Sequence, residues 1–339
     1  MLPWLAATGL SVLLYSSGLF IIFTPLPIAA LCVKKGYASG VGAFLVAFLV
    51  LASLYHFAAP LMIGRENWAI PVLPLVPLAA LFTLPQITFL GLVQFSYYGV
   101  MGIMLVVAAG TERIEKGVGK ILLVSVVLVG GGIYLFQGLF QVSMPEKIRE
   151  TIQIFFDQWV KATQEAGAKG DDVKMVTREL VPTLVNTLYY LLPSLFICGT
   201  MINLSFNMII LRRWLMGRKA FRRWRDFGLW QLPEVCIWLP IFLGGLFFLN
   251  KYLLNQTAIQ WVTLNLLVIL AMVYFFQGAA ILAFYWKRGI PPLAKILLYV
   301  VFFVLFQIVI VIMTLAGLFD FWFDFRKLKR DSSRSGSPS

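Results

Sequence analysis

From residue 258 to residue 286 the chain carries no charged side chain, and eight further stretches approach the same standard. A helix needs about 20 apolar residues to cross a hydrocarbon layer, so runs of this length restrict what such a chain can become. The nine segments are 4–23, 40–62, 69–84, 86–110, 120–142, 183–211, 230–249, 258–286 and 297–318. Lipid offers backbone N–H and C=O groups no partner, which leaves helices and closed barrels as spanning structures. No run with the alternating polarity of barrel strands is present. The expected fold is therefore all-α, a polytopic transmembrane helical bundle of about eight to ten helices.

Composition agrees, since 60% of the 339 residues are hydrophobic and 13% are charged, more apolar material than one soluble core requires. The expected organisation is an N-terminal transmembrane bundle over 1–142, an extramembrane helical hairpin over 143–182, a C-terminal bundle over 183–325 and a basic, disordered tail over 326–339. The first segment lacks a basic leader and a clean small-residue cleavage site, so it reads as a retained helix rather than a cleaved signal peptide.

The formal charge of +13 is placed unevenly, with net values of +3 over 1–142, −1 over 143–182 and +11 over 183–339. Its densest cluster is Arg212, Arg213, Arg218, Lys219, Arg222, Arg223 and Arg225, interleaved with Trp214, Trp224 and Trp230. A nucleic-acid footprint normally sits on a soluble motif, whereas this cluster lies between two apolar runs. Basic residues in a short loop beside spans follow the positive-inside rule, and tryptophan suits the head-group level. The cluster therefore reads as a cytoplasmic anchor touching anionic lipid, at roughly 1 kcal/mol per basic residue, with no nucleic-acid partner.

Two spans separate this cluster from Lys287, Arg288 and Lys295, which places both on the same side. One further span would put Arg326, Lys327, Lys329 and Arg330 on the opposite side despite their charge. Either the tail is external or 297–318 is re-entrant. At the other end, Pro25 and Pro27 in "TPLPIAALCVKK" suit a broken or re-entrant element. The expected location is the inner (plasma) membrane, crossed many times.

Within 143–182, Ser143 and Glu146 form a capping box with Pro145 in the first turn. Ile148, Ile152, Phe155, Trp159 and Ala162 then share one helical face. "GAKGDD" ends that helix, and Asp171 or Asp172 can cap a second one bearing Val173, Val176 and Leu180. The apolar faces pack on each other, lie at the lipid interface, or dock another protein.

Catalytic patterns are nearly absent. His56 is the only histidine, Cys32, Cys198 and Cys236 stand apart, and there is no GxSxG, HExxH or P-loop. The chain is expected to be no enzyme and to take no metal or other cofactor. Polar residues inside the spans are better pointers, because each must be paired or face a cavity. Asn203 and Asn207 lie four apart on one face, Gln277 precedes Gly278, and Gln307 lies in "VLFQIVIV". Such amides can bind a neutral or zwitterionic ligand without burying a charge, or they can join helices at roughly 0.6–2 kcal/mol per bond. Asp320 and Asp324, beside Arg326 and Lys327, read as an interfacial ion cluster.

"MVYFFQGAAILAFYWKRGIPP", "AGLFDFWFDFRK" and "LLPSLFICGTMINLSFNMIILRR" resemble the YybS-like family of predicted bacterial membrane proteins, a domain of unknown function. That resemblance implies a multi-pass bundle and transfers no catalytic residue. "FTPLPIAALCVKKGYASGVGAFLVAF" is similar to the first helices of the substrate-binding S subunits of energy-coupling-factor transporters, through its Pro-rich turn, basic pair and Gly36, Gly40 and Gly42. Two functions remain open. One is a transport-type protein that binds a small organic solute among its helices and depends on a partner for energy. The other is a non-catalytic envelope or membrane-assembly factor recruiting a protein partner through the 143–182 helices.

Overall fold

The computed structural model describes residues 2–57, 82–109, 114–165, 180–214, 226–289, 291, 296–297, 300–301 and 304–327. These residues form ten α-helices and, among them, no strand. The helices are α1 (Leu2–Ser16), α2 (Pro25–Lys35), α3 (Tyr37–Phe57), α4 (Leu84–Ala109), α5 (Ile114–Phe140), α6 (Met144–Glu165), α7 (Val181–Trp214), α8 (Trp238–Leu249), α9 (Thr257–Lys287) and α10 (Phe306–Phe323). Seven described stretches are long and apolar enough to cross a membrane: Tyr37–Phe57, Leu84–Ala108, Lys116–Phe140, Val181–Trp214, Glu234–Leu254, Thr257–Lys287 and Phe306–Phe323. Their outward side chains include Leu45, Leu49, Leu123, Val127, Phe242 and Val311, all exposed. Leucine, valine and phenylalanine turned outward along entire helices make hydrocarbon the solvent of this surface.

The chain forms two compact units. The first comprises residues Met1–Tyr189 and Gly199–Trp224, and the second Tyr190–Cys198 and Arg225–Ser339.

In the first unit the expected crossing over 4–23 is divided. Helix α1 stops at Ser16, a one-turn 3-10 segment follows at Ile21–Phe23, and α2 begins at Pro25. The Ser17 hydroxyl donates to the Leu14 carbonyl at 2.7 Å and accepts from the Phe20 N–H at 3.0 Å, which closes the turn. Pro25 and Pro27 can only open a helix, because proline has no N–H to bond backwards. Helix α2 packs against α1, α3 and α4, and Pro25, Leu26, Pro27, Ile28, Ala29, Leu31 and Cys32 are buried. Its C-terminal Lys34 and Lys35 are exposed. Tyr15 fixes α1 to α4, with its ring edge-on to Phe95 at 5.2 Å and its hydroxyl 2.7 Å from the Gly91 carbonyl.

The extramembrane helix expected after Ser143 is α6; its expected partner helix bearing Val173 and Val176 lies outside the described residues, as does most of segment 69–84. The cluster Val160, Val181 and Val185, joined by Ile152 and Phe156, packs α6 on the first turns of α7.

In the second unit α8 is entered through a 3-10 turn at Glu234–Ile237 and left through a π turn at Asn250–Leu254. Asn250 then clamps the reversal into α9: its Nδ2 donates to the Gln256 carbonyl and its Oδ1 accepts from the Gln256 N–H, both at 3.0 Å. Helices α9 and α10 cross at two glycines. A Cβ on Gly278 would collide with the Met313 carbonyl, and one on Gly317 with the Tyr274 carbonyl, so the backbones touch where no other residue fits.

Pro193 lies inside α7. The backbone it disturbs is repaired from α9, where Asn265 Oδ1 accepts from the Ser194 N–H at 2.9 Å and Nδ2 donates to the Tyr190 carbonyl at 2.8 Å. Tyr190 also stacks on Trp261 with ring centroids 4.4 Å apart. Lipid cannot satisfy these groups, so an amide on a neighbouring helix does.

Candidate functional site

Asn203 and Asn207 share the inner face of α7 in the first unit, and both are buried. Asn207 Nδ2 lies 2.8 Å from the Ile22 carbonyl, 2.8 Å from the Asn203 carbonyl and 2.6 Å from Asn203 Oδ1. All three are acceptors, so the amide can be oriented in only one way, with Nδ2 toward them. Its Oδ1 therefore faces elsewhere, and among the described residues it has no hydrogen-bond partner. Two residues beyond Ile22, the Thr24 hydroxyl is also buried without a partner among them. One turn before Asn203, Thr200 Oγ1 accepts from the Tyr97 hydroxyl at 3.0 Å, which ties α7 to α4.

The place where α1 gives way to α2 thus meets the amide face of α7. Of the first three residues of α2, two are prolines, so Leu26 alone offers an N–H there. Helix N-termini usually attract anions through several free N–H groups. Here the Ile22 carbonyl already accepts from Asn207 Nδ2 and the Thr24 carbonyl from the Ser11 hydroxyl at 3.5 Å, which leaves Asn207 Oδ1 and Thr24 Oγ1 as the acceptors without a donor among the described residues. The arrangement suits a group that brings N–H or O–H donors.

Gln277, in the second unit, has its amide committed within the protein. Oε1 accepts from the Leu232 N–H at 3.1 Å, and Nε2 donates to Asp320 Oδ2 at 2.9 Å. Asp320 Oδ2 also receives Arg326 Nη2 at 2.7 Å, with both side chains at most 1% exposed. Arg326 Nη1 donates to the Gly228 and Trp230 carbonyls at 2.7 and 2.8 Å, and the Phe325 N–H reaches Asp320 Oδ1 at 3.1 Å. The interfacial ion cluster expected at 320–327 thus holds a buried, hydrogen-bonded pair, Asp320 with Arg326. Asp324, in the left-handed conformation at φ 41°, ends α10 and turns the chain so that Arg326 reaches back to Asp320.

Nearby, Lys287 bonds Asp226 at 2.6 Å and the Tyr285 hydroxyl donates to the Phe325 carbonyl at 2.6 Å. Residues 285–287, 226–230 and 325–326 consequently share one end of the unit. Lys287 and Arg326 therefore lie at the same end of the unit, and the rest of the basic tail, 328–339, lies outside the described residues.

Gln307 is exposed near the start of α10. Arg212 and Arg213 end α7; Arg218, Lys219, Arg222, Arg223 and Arg225 lie outside the described residues. His56 is exposed, edge-on to Phe57 at 4.8 Å. Among the described residues no three His, Cys, Asp or Glu side chains gather as a metal would need.

Sequence reasoning named Asn203, Asn207 and Gln277 but passed over Thr24, Asn265 and the pairing of Asp320 with Arg326. Asn265 was open to the same rule as the others, being an amide inside an uncharged span. Thr24 carried no signal of its own, because its burial depends on α2 packing inside the bundle.

Among the described residues, ten helices, seven stretches long and apolar enough to cross a bilayer and amides buried between helices define a multi-pass helical membrane protein. More particularly, the chain belongs to the family described as Predicted membrane protein (DUF2232), whose model matches residues 65–321. No curated protein and no solved structure matches it.

Proposed function

We propose that this is a transport-type protein of the plasma membrane, which binds a small organic solute inside its first unit and takes its energy from a partner. The observation that carries the reading is the Asn207 carboxamide, oriented by three acceptors so that a fully buried Oδ1 is left without a partner among the described residues. A buried acceptor without a donor costs about 1–3 kcal/mol, a cost that a bound solute or water removes. The broken α1–α2 passage beside it is the kind of interrupted helix around which transporters build their sites. The resemblance of residues 23–48 to the S subunits of energy-coupling-factor transporters points the same way. The solute is one with N–H or O–H donors, neutral or cationic, since acceptors dominate the site. Binding without catalysis fits a group of amides and hydroxyls that holds no paired acid and base.

Thr24→Val tests this with little structural penalty, because the hydroxyl it removes makes no bond among the described residues. The purified protein is screened by thermal shift against vitamins, nucleobases and amino acids. A stabilising solute is expected for the wild type, and the shift is expected to vanish in Thr24→Val, whose melting temperature without solute is unchanged or raised. Asn207→Leu should also lose the shift, but at a lower starting melting temperature, since it gives up the bond from α7 to the Ile22 carbonyl and two bonds to Asn203 within α7. A screen without a hit, together with a stoichiometric envelope protein captured from crosslinked membranes, would reject transport in favour of the assembly-factor reading.

A further inference from the structure

Helix α6 has three faces. Ile152, Phe156 and Val160 pack on Val181 and Val185 of α7. The charged face carries the Lys147–Glu150 ion pair at 2.8 Å, the Gln153–Asp157 bond at 3.1 Å and exposed Lys161. Between them, Phe155 and Trp159 stand four apart on the helix, 64% and 51% exposed. Neither water nor α7 accounts for that third face.

Both halves of α6 are held at the membrane surface. Its start follows the span Lys116–Phe140 by three residues, Gln141–Ser143, so Met144 lies within roughly 14 Å of the end of that span. Its later half, through Val160, packs on the first turns of α7, itself a span. The sequence from 141 to 180 holds no apolar run of about 20 residues, so the two anchor points belong to one membrane face and α6 runs along it.

We infer that α6 is an interfacial helix, with Phe155 and Trp159 inserted at the boundary between lipid head groups and acyl chains. Phenylalanine and tryptophan on one side of an amphipathic helix are suited to that depth. The sequence Met144–Glu165 holds three basic and four acidic residues. Attraction to anionic lipid therefore contributes nothing, and insertion rests on apolar area alone. This separates α6 from the basic cluster after α7.

The test uses full-length protein in phosphatidylcholine vesicles, with Cys32, Cys198 and Cys236 replaced and one environment-sensitive fluorophore attached at Trp159→Cys, Phe155→Cys or, as control, Asp157→Cys. Positions 159 and 155 should emit at shorter wavelength than 157. Lipid carrying a nitroxide near the head group should quench them at least about twofold more strongly than it quenches 157. Adding anionic lipid or salt should leave these values unchanged. Aqueous emission with equal quenching at all three positions would overturn the inference. So would shielding of 155 and 159 from both lipid-borne and aqueous quenchers, which would place a protein on this face instead.

Discussion

Asp320 and Arg326 are held out of water together, and the desolvation penalty of each is offset only while the other remains. Removing one partner of a buried ion pair typically costs about 3–5 kcal/mol, because the remaining charge is stranded, whereas replacing both by apolar residues is often neutral. Asp320→Leu and Arg326→Met are each expected to lower the unfolding free energy in detergent by about that amount, and the double variant by much less than the sum. Additive losses would show that the pair is not coupled. The sequence flagged these residues as charges beside one another. Which charge meets which depends on the left-handed backbone at Asp324, a conformation that nothing in "FDFWFDFRK" dictates, since aspartate only tolerates it. Asn203 and Asn207 were legible because four residues is one helical turn; that their donors face one way and an oxygen the other required Ile22, which sequence spacing cannot bring near.

Among elements, the long spans were readable almost to their ends. The stretch expected over 258–286 is α9 at Thr257–Lys287, and that over 183–211 is α7 at Val181–Trp214. Hydropathy sees these because lipid selects apolar residues on every exposed side. It fails where an apolar stretch is covered by protein instead: α1, its turn and α2 read as one crossing plus a proline-rich remnant, because burial against α3 and α4 demands the same residues as lipid does. The α9–α10 crossing gives the element-scale prediction. Gly317→Ala places a Cβ against backbone that cannot withdraw and is expected to cost about 1–3 kcal/mol. Gly119→Ala in α5, where nothing stands within 4 Å, is expected to be neutral or to gain up to about 1 kcal/mol. Equal effects of the two in thermal unfolding would mean that the helices do not meet at Gly317.

For the whole molecule, the second unit makes a topological statement that can be checked in cells. Lys287 and Lys327 lie at the same end of it, and Lys251 precedes the span Thr257–Lys287. Single cysteines at 287 and 327, in a background without native thiols, should both resist an impermeant maleimide in intact cells and react after lysis, as the positive-inside rule requires of this basic end. A cysteine at 251 should react in intact cells. Opposite behaviour of 287 and 327 would break the arrangement. Charge counting alone left the tail in conflict with the basic loops; the bond from Tyr285 to Phe325 puts residues 285 and 325 at one end of the unit, which is what this labelling experiment reads.

The arginine that fastens this end also sets an order of events during synthesis. The Gly228 carbonyl that it holds is made 98 residues earlier, before any of α8, α9 or α10 exists. Throughout that interval the Gly228 and Trp230 carbonyls wait for the Arg326 guanidinium, and Asp320 itself is made only six residues before it, so the second unit is completed by nearly the last of its described residues. A chain terminated just ahead of residue 326 would insert every one of its spans and still present the cell's proteases with an unlatched membrane protein.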